Sequence, residues 1–324
     1  PLRLVGSEMC IRDRYMGTPE FAVNALDAIV ADGHNVMACF TQPDKPKGRG
    51  KNLAKSPVKI ACERYDIQVY QPVKLREPEN IEIIRELAPD CIVVAAYGQI
   101  LPESILNIPK YGCINIHASL LPKYRGAAPI EWSIIDGCDR TGVTTMYMSK
   151  GLDKGDMILK SEVEISDSET GEELRGRLAV VGAELIVKTL HQLEDGTAVR
   201  IPQNDEESSY ASMLNKEMGR LDFTMSAHKI NCLIRGLQPW PCVYTRVAGK
   251  GVKIYEAEVC DTDESLGADV VPGMITAVTK KSFTIACGEG TLKIKRLQPE
   301  GKKVMDAAAF LAGNKLNPGD MAGE

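Results

Sequence analysis

Residues 90–102, DCIVVAAYGQILP, are apolar on both faces of any strand they form, until Tyr97-Gly98 interrupts the run. A strand with two apolar faces needs cover on both sides, which is the condition of a strand inside a parallel sheet flanked by helices. The neighbouring segments supply that cover. Residues 18–32 (TPEFAVNALDAIVAD) read as a helix with Thr18 as N-cap and Pro19 at its first position, and Gly33 ends it. NVMACFTQ (35–42) reads as a strand, the Pro/Gly/Lys-rich stretch 43–57 as a loop, 56–65 as a helix, IQVYQP as a short strand and 78–88 as a helix. After the 90–102 strand come GCINIHASLLP (112–122), a helix from Ala127 with Pro129 in its first turn, a strand at 142–149 and a helix over 170–195. This βαβ alternation implies a doubly wound α/β domain over residues 1–200, with ligands gathering at the carboxyl ends of the strands.

Residues 201–215 (IPQNDEESSYASMLN) are polar and read as a linker. Beyond them a helix at 225–236 precedes short strands with glycine turns at 242–247, 252–259, 273–279, 282–287 and 291–297. That spacing implies a small β-barrel over residues 216–324.

Composition excludes several classes. A formal charge of −5 argues against a dedicated electrostatic nucleic-acid binder, while leaving room for a local basic patch. The ten cysteines have no CxxC pair and no Cys/His cluster, so they read as scattered reduced thiols and no metal is expected. No apolar stretch approaches the ~20 residues of a membrane span, and the chain start shows no secretory core; the expected location is the cytoplasm, with no membrane partner.

Chemistry concentrates at INIHASLLPKYRGAAP, residues 114–129. Residues two apart in a strand share a face, so Asn115 and His117 project together at a carboxyl end. An amide beside an imidazole suits the polarisation of a carbonyl oxygen; a lone strand-end pair of this kind also occurs as structure alone. A second element, GVTTMYMSKGLDKGDMI (142–158), places Asp153 between Gly151 and Gly155, where an Asx-turn is the competing use. Together Asn115, His117 and Asp153 could form an acyl-transfer site without a covalent enzyme intermediate. Ser119 lacks the G-x-S-x-G frame of a nucleophile. The loop at GTPEFA lacks G-x-G-x-x-G, which counts against a nicotinamide enzyme.

INIHASLLPKYRGAAPIEWSIIDG with TGVTTMYMSKGLDKGDMI resembles the folate-dependent formyltransferase family. The likeness continues in MGTPEFAV (16–23), TQPDKPKGRGKNLAKSPVK (41–59), AAYGQILP (95–102), IRGLQPWPCVYT (234–245) and LQPEGKK (297–303), and so covers residues 16 to 320. The resemblance implies a Rossmann-like catalytic domain followed by an OB-like barrel. It implies 10-formyltetrahydrofolate as co-substrate, and the α-amino group of methionine on initiator tRNA as acceptor. It gives Asn115, His117 and Asp153 the catalytic roles, and lines the folate slot with Ser119, Leu120, Leu121, Pro122, Tyr97, Gly98 and Ile100. The basic loop then meets tRNA through Arg49, Lys47 and Lys51; without the resemblance, that charge run reads as a solvated loop. The barrel's Lys280, Lys281, Lys293, Lys295, Arg296, Lys302 and Lys303 read either as solubilising charges or as backbone contacts to tRNA, and Trp240 as packing at the domain junction. The enzyme is expected to act as a monomer. An amino-sugar formyltransferase, a formyl-folate hydrolase and a tRNA-binding protein with an inactive pocket are the alternatives.

One segment departs from the family's pattern. SEMCIRDRYMGTP has Arg12, Asp13 and Arg14 where an apolar central strand is expected. Burying such charges without partners is costly. Residues 1–15 therefore read as a translated adapter or assembly scar and are left out of the fold reasoning.

Overall fold

The computed structural model describes residues 12–47, 52–260 and 269–323. They fall into two compact units: one takes the chain through Gly126 with Thr141–Glu164 and Arg175–Tyr210, the other Ala127–Arg140, Ile165–Leu174 and the chain from Ala211 onward.

The first unit is built on a seven-stranded sheet. Its strands are β1 (Arg12–Gly17), β2 (Asn35–Phe40), β3 (Gln68–Tyr70), β4 (Cys91–Ala95), β5 (Cys113–His117), β6 (Arg140–Tyr147) and β7 (Met157–Glu164), in the spatial order β7-β6-β5-β4-β1-β2-β3. Neighbours from β3 through β5 run parallel, and β6 pairs antiparallel with β5, His117 lying opposite Thr144. All five residues of β4 are buried, as its two apolar faces require. Helices Glu20–Ala31, Pro57–Arg64, Pro78–Glu86 and the long helix Gly171–Glu194 supply the covering layers. Met16, Phe40, Ile84, Ile92, Val94, Leu101, Ile105 and Cys113 pack one core.

Several expectations are corrected. Thr18 does not cap the first helix: Pro19 stands at the N-cap, and the Thr18 hydroxyl instead donates to Tyr97 O at 2.9 Å and accepts from Gln42 N at 3.3 Å. The 43–57 stretch carries two short strands, Lys45–Lys47 and Asn52–Ala54, paired antiparallel. Ser56 does cap the next helix, accepting from Lys59 N at 3.1 Å. Strand β7 was not foreseen; after Met157 and Ile158 its outward residues are charged.

The largest correction concerns β1. Residues 12–15, left out of the fold reasoning on their charge, open the strand between β2 and β4, with Asp13 and Arg14 fully buried. Arg14 donates to Asp13 O at 3.0 Å and to Leu87 O. His34 Nδ1 lies 3.2 Å from Asp13 Oδ2, and its Nε2 lies 3.4 Å from Asp32, which also receives His191 Nε2 at 2.6 Å. Burial pushes the Asp13 carboxyl above its usual value, partly offset by His34. Burial also works against charge on His34, yet the hydrogen bond and charge of Asp13, with Glu194 and Asp32, hold its pKa above the ordinary value.

The second unit carries an antiparallel sheet built from Val243–Val247, Lys250–Cys260, Thr291–Pro299, Phe283–Ala286 and Ile275–Val278 in that spatial order. The chain end joins the two sides of this sheet, because Gly323 bridges Arg246 and Met321 bridges Met274. Leu233, Ile234, Val252, Ile254, Phe283 and Leu297 fill its core. Lys293 and Lys295 both face Glu258, at 3.8 and 2.7 Å, and Arg296 lies 3.8 Å from Asp306. Trp240 is 51% exposed, so about half of the residue is not packed away.

Candidate active site

Strand β5 places its last residues by what lies behind it. Ile116 turns toward the long helix at Gly182, where an added Cβ would stand 3.0 Å from Ile116 Cγ2. Close packing on that face sends Asn115 and His117 to the other. Asn115 is half-buried there, and His117 is 6% exposed.

The imidazole is held from both sides. Nε2 lies 2.9 Å from Tyr124 O. A carbonyl can only accept, so this nitrogen carries the hydrogen and Nδ1 is the one left facing the site. Nδ1 stands 3.8 Å from Asp153 Oδ2, beyond hydrogen-bond length but within ion-pair reach of a protonated ring.

Asp153 reaches this position through an unusual loop. Its φ is +50°, a left-handed conformation that aspartate tolerates better than most residues. At Gly155 a Cβ would lie 1.7 Å from Tyr147 O, so the return of the loop to β7 admits only glycine. The carboxylate Oδ2 accepts from Gly126 N at 2.9 Å. Gln203 then closes the arrangement, donating from Nε2 to Asp153 O and Gly155 O at 2.8 and 2.7 Å.

The structure thus brings His117 and Asp153 into contact, with Asn115 on the same strand face. The other expected residues are more dispersed. Ser119 is fully buried and donates to Lys123 O at 2.6 Å; Leu121 packs with Met146 and Met157; Pro122 is buried. Tyr97 turns into the core, and burial raises its phenol pKa well above the usual value. Leu120 is half-buried, whereas Gly98 is exposed and Ile100 is 87% exposed. Of the slot residues, these three retain surface to offer a ligand. Arg49 and Lys51 lie outside the described residues, and of Lys47 the backbone alone is described. Around that loop Lys59 pairs with Asp44 at 2.8 Å and Lys55 with Glu63 at 2.7 Å, a second opposing acid not counted from sequence.

Tyr124, Gly126 and Gln203 were not foreseen as site residues, nor was Arg125. The first two act through backbone groups that every residue carries, and Gln203 lies in a polar stretch without pattern. Arg125 at least stood inside the conspicuous KYRGAAP segment. Among the described residues, the side chains near enough to share a metal are Asp32, His34 and His191. The 2.6 Å His191–Asp32 contact has the length of a short direct hydrogen bond, whereas tetrahedral ligands at ~2.0–2.1 Å from an ion stand farther apart. No helix among them is long and apolar enough to cross a membrane.

A doubly wound sheet that carries an amide and an imidazole at one strand end, with a carboxylate brought back by the loop after β6, is an arrangement able to polarise a carbonyl. Residues 15–190 match the formyl transferase family and residues 213–315 match the formyl transferase C-terminal domain. The chain belongs to the formyl transferase family. It is 51% identical to a methionyl-tRNA formyltransferase of Lachnospira eligens over 96% of this chain and 99% of that one. A methionyl-tRNA formyltransferase of Alkaliphilus metalliredigens is 53% identical, over 96% and 98%. Among solved structures, an N-formyltransferase of Helicobacter canadensis in complex with folinic acid and dTDP-3-aminofucose shares the fold, with TM-score 0.66, 19% identity and coverage of 88% and 98%. So does HypX of Aquifex aeolicus in complex with tetrahydrofolic acid, with TM-score 0.62 and 16% identity; 96% of this chain aligns, to 51% of that one.

Proposed function

We propose that the chain transfers the formyl group of 10-formyltetrahydrofolate to the α-amino group of methionine on initiator tRNA. One observation carries this reading: identity of 51% to a methionyl-tRNA formyltransferase runs through both units and 99% of that relative. The sugar-linked structures share the fold at 19% identity, which carries no substrate.

The geometry supports the following chemistry. The neutral amine attacks the formyl carbon, and the carbonyl oxygen becomes an oxyanion. The Asn115 amide and the Nδ1–H of protonated His117 stabilise that charge, acting where it develops. Tyr124 O fixes the ring through Nε2, so Nδ1 is the nitrogen presented to the reaction. Asp153 balances the imidazolium and takes the proton released by the attacking nitrogen through a water. That proton goes to the folate nitrogen as the carbon–nitrogen bond to it breaks.

Gly98, Ile100 and, from the 119–122 turn, Leu120 border the folate; Arg49, Lys47 and Lys51 meet the tRNA end, and the barrel adds backbone contacts. In this reading the catalytic domain takes residues 1–200, 201–215 join it to the tRNA-binding barrel at 216–324, and the protein works as a cytoplasmic monomer. The deciding experiment offers the protein 10-formyltetrahydrofolate with Met-tRNA, a nucleotide-linked amino sugar or water alone. Formyl transfer to Met-tRNA is expected, and preferential transfer to the sugar or release of formate would overturn it.

A further inference from the structure

An amide side chain offers two N–H donors and an oxygen with two lone pairs. Gln203 uses all four. Its Nε2 donates to Asp153 O at 2.8 Å and Gly155 O at 2.7 Å. Its Oε1 accepts from Arg125 Nε at 3.0 Å and Arg125 Nη2 at 2.8 Å. Arg125 is itself buried, with Nη1 on Asp205 Oδ1 at 2.7 Å.

These contacts make a closed ring. Arg125 is followed by Gly126, whose N–H holds the Asp153 carboxylate at 2.9 Å. Gln203 therefore grips Asp153 twice: directly by its backbone carbonyl, and indirectly through the segment that holds its side chain. The loop so held has a left-handed residue at its centre and a glycine pressed against Tyr147 O at its end. A strained loop keeps one conformation only when its surroundings over-determine it. Two hydrogen bonds from one amide to the carbonyls of Asp153 and Gly155, on either side of Lys154, provide that constraint.

We propose that Gln203 is a positioning residue for the transfer reaction: it fixes the loop so that the Asp153 carboxylate faces His117 Nδ1. The inference rests on the reading in which Asp153 supports His117. Gln203 touches neither His117 nor a reacting atom, and its effect is carried by orientation.

The test is formyl transfer by full-length Gln203→Met and Gln203→Glu at saturating 10-formyltetrahydrofolate and Met-tRNA. Methionine keeps the length of the side chain and removes every hydrogen bond. Glutamate still accepts from Arg125 but cannot donate to the two carbonyls. If the clamp positions Asp153, both variants lose roughly 10- to 100-fold in kcat, the scale of a misplaced catalytic group. KM for both substrates stays within about twofold of wild type, because only the transition state feels the orientation. If Gln203 merely anchors Arg125, glutamate restores kcat, and that result overturns the proposal. So does wild-type kcat in either variant. Glutamate's retained pairing with Arg125 keeps the test readable should the methionine variant fail to fold. Asp153→Asn, run alongside, separates the two readings: if it keeps wild-type turnover, the site assignment falls and the proposal with it. If it is inactive while both Gln203 variants are active, the clamp alone is wrong. Combining Gln203→Glu with Asp153→Asn should add no further loss, and additive loss would overturn the clamp.

Discussion

Oδ2 of Asp153 faces His117 Nδ1 at 3.8 Å and is itself held by the Gly126 N–H at 2.9 Å. One carboxylate oxygen thus answers both to a backbone donor and to the ring. Its partner nitrogen is defined from the far side of the imidazole, where Tyr124 O engages Nε2. Backbone groups thus hold both members of the pair.

Removing the ring should therefore remove the chemistry and spare binding. His117→Ala is expected to lower kcat for Met-tRNA formylation on the order of a hundredfold or more. Its affinity for 10-formyltetrahydrofolate, followed by fluorescence or calorimetry, should change little. Turnover near wild type would contradict the assignment of His117.

The basic loop makes a different kind of prediction. Arg49→Ala should raise KM for Met-tRNA while formyl-folate binding holds, and the affinity of the variant for tRNA should fall less steeply with added salt. Filter binding at several ionic strengths measures the slope. Equal loss of folate and tRNA binding would place Arg49 in the fold and not at the nucleic acid.

Strand β1 predicts a gain in stability. Asp13 Oδ2 meets the His34 ring at 3.2 Å, and Oδ1 has no hydrogen-bond partner among the described residues. Replacing buried ionic groups by apolar ones of similar size is often neutral or stabilising by about 1–4 kcal/mol. Asp13→Val with Arg14→Ile should accordingly raise Tm. An unchanged or lower Tm would mean that the buried charges support the strand.

The advantage should also depend on pH. The folded chain keeps the Asp13 proton above the ordinary carboxylate value of 3.8, and the His34 proton above 6.5. In both windows the native state binds more protons than the unfolded chain, so stability falls as pH rises through each. Asp13→Val removes the first contribution and weakens the second. Its Tm difference from the parent should widen from pH 4 to pH 9; a constant difference would show that the two groups do not titrate with folding.

Thiol reactivity offers a check on the core. Cys113 and Cys287 are buried, and burial pushes both thiols up to about 12. Cys138 and Cys260 are only partly covered. Brief maleimide labelling of native protein, mapped peptide by peptide, should mark Cys138 and Cys260 well before Cys39, Cys91, Cys113 or Cys287. Early labelling of Cys113 would mean that the β5 layer opens readily.

The covered strand at 91–95 was legible because two apolar faces leave few alternatives, and the pairing of Asn115 with His117 followed from the strand period of two. Asp153 was a different case: its loop had an equally good local explanation, and only resemblance tied it to the histidine. Strand β1 was misread because Asp13 and Arg14 argue locally for solvent. Their neighbours on β2 and β4, together with His34, decide otherwise. The carbonyl of Tyr124 and the N–H of Gly126 leave no trace in side-chain identity. The roles of Gln203 and Arg125 appear only once residues nearly eighty apart are brought together.

Gly155 has one more lesson, for the interpretation of mutational surveys. It holds no proton, carries no charge and contacts no substrate atom in the proposed reaction. A single added methyl there would nonetheless meet Tyr147 O at 1.7 Å. A survey scored by activity alone would rank it beside His117 and Asp153, and tolerance to substitution would then map where the backbone has no room as faithfully as where the chemistry occurs. Substrate-analogue binding, measured for each dead variant, is what separates the two kinds of silence.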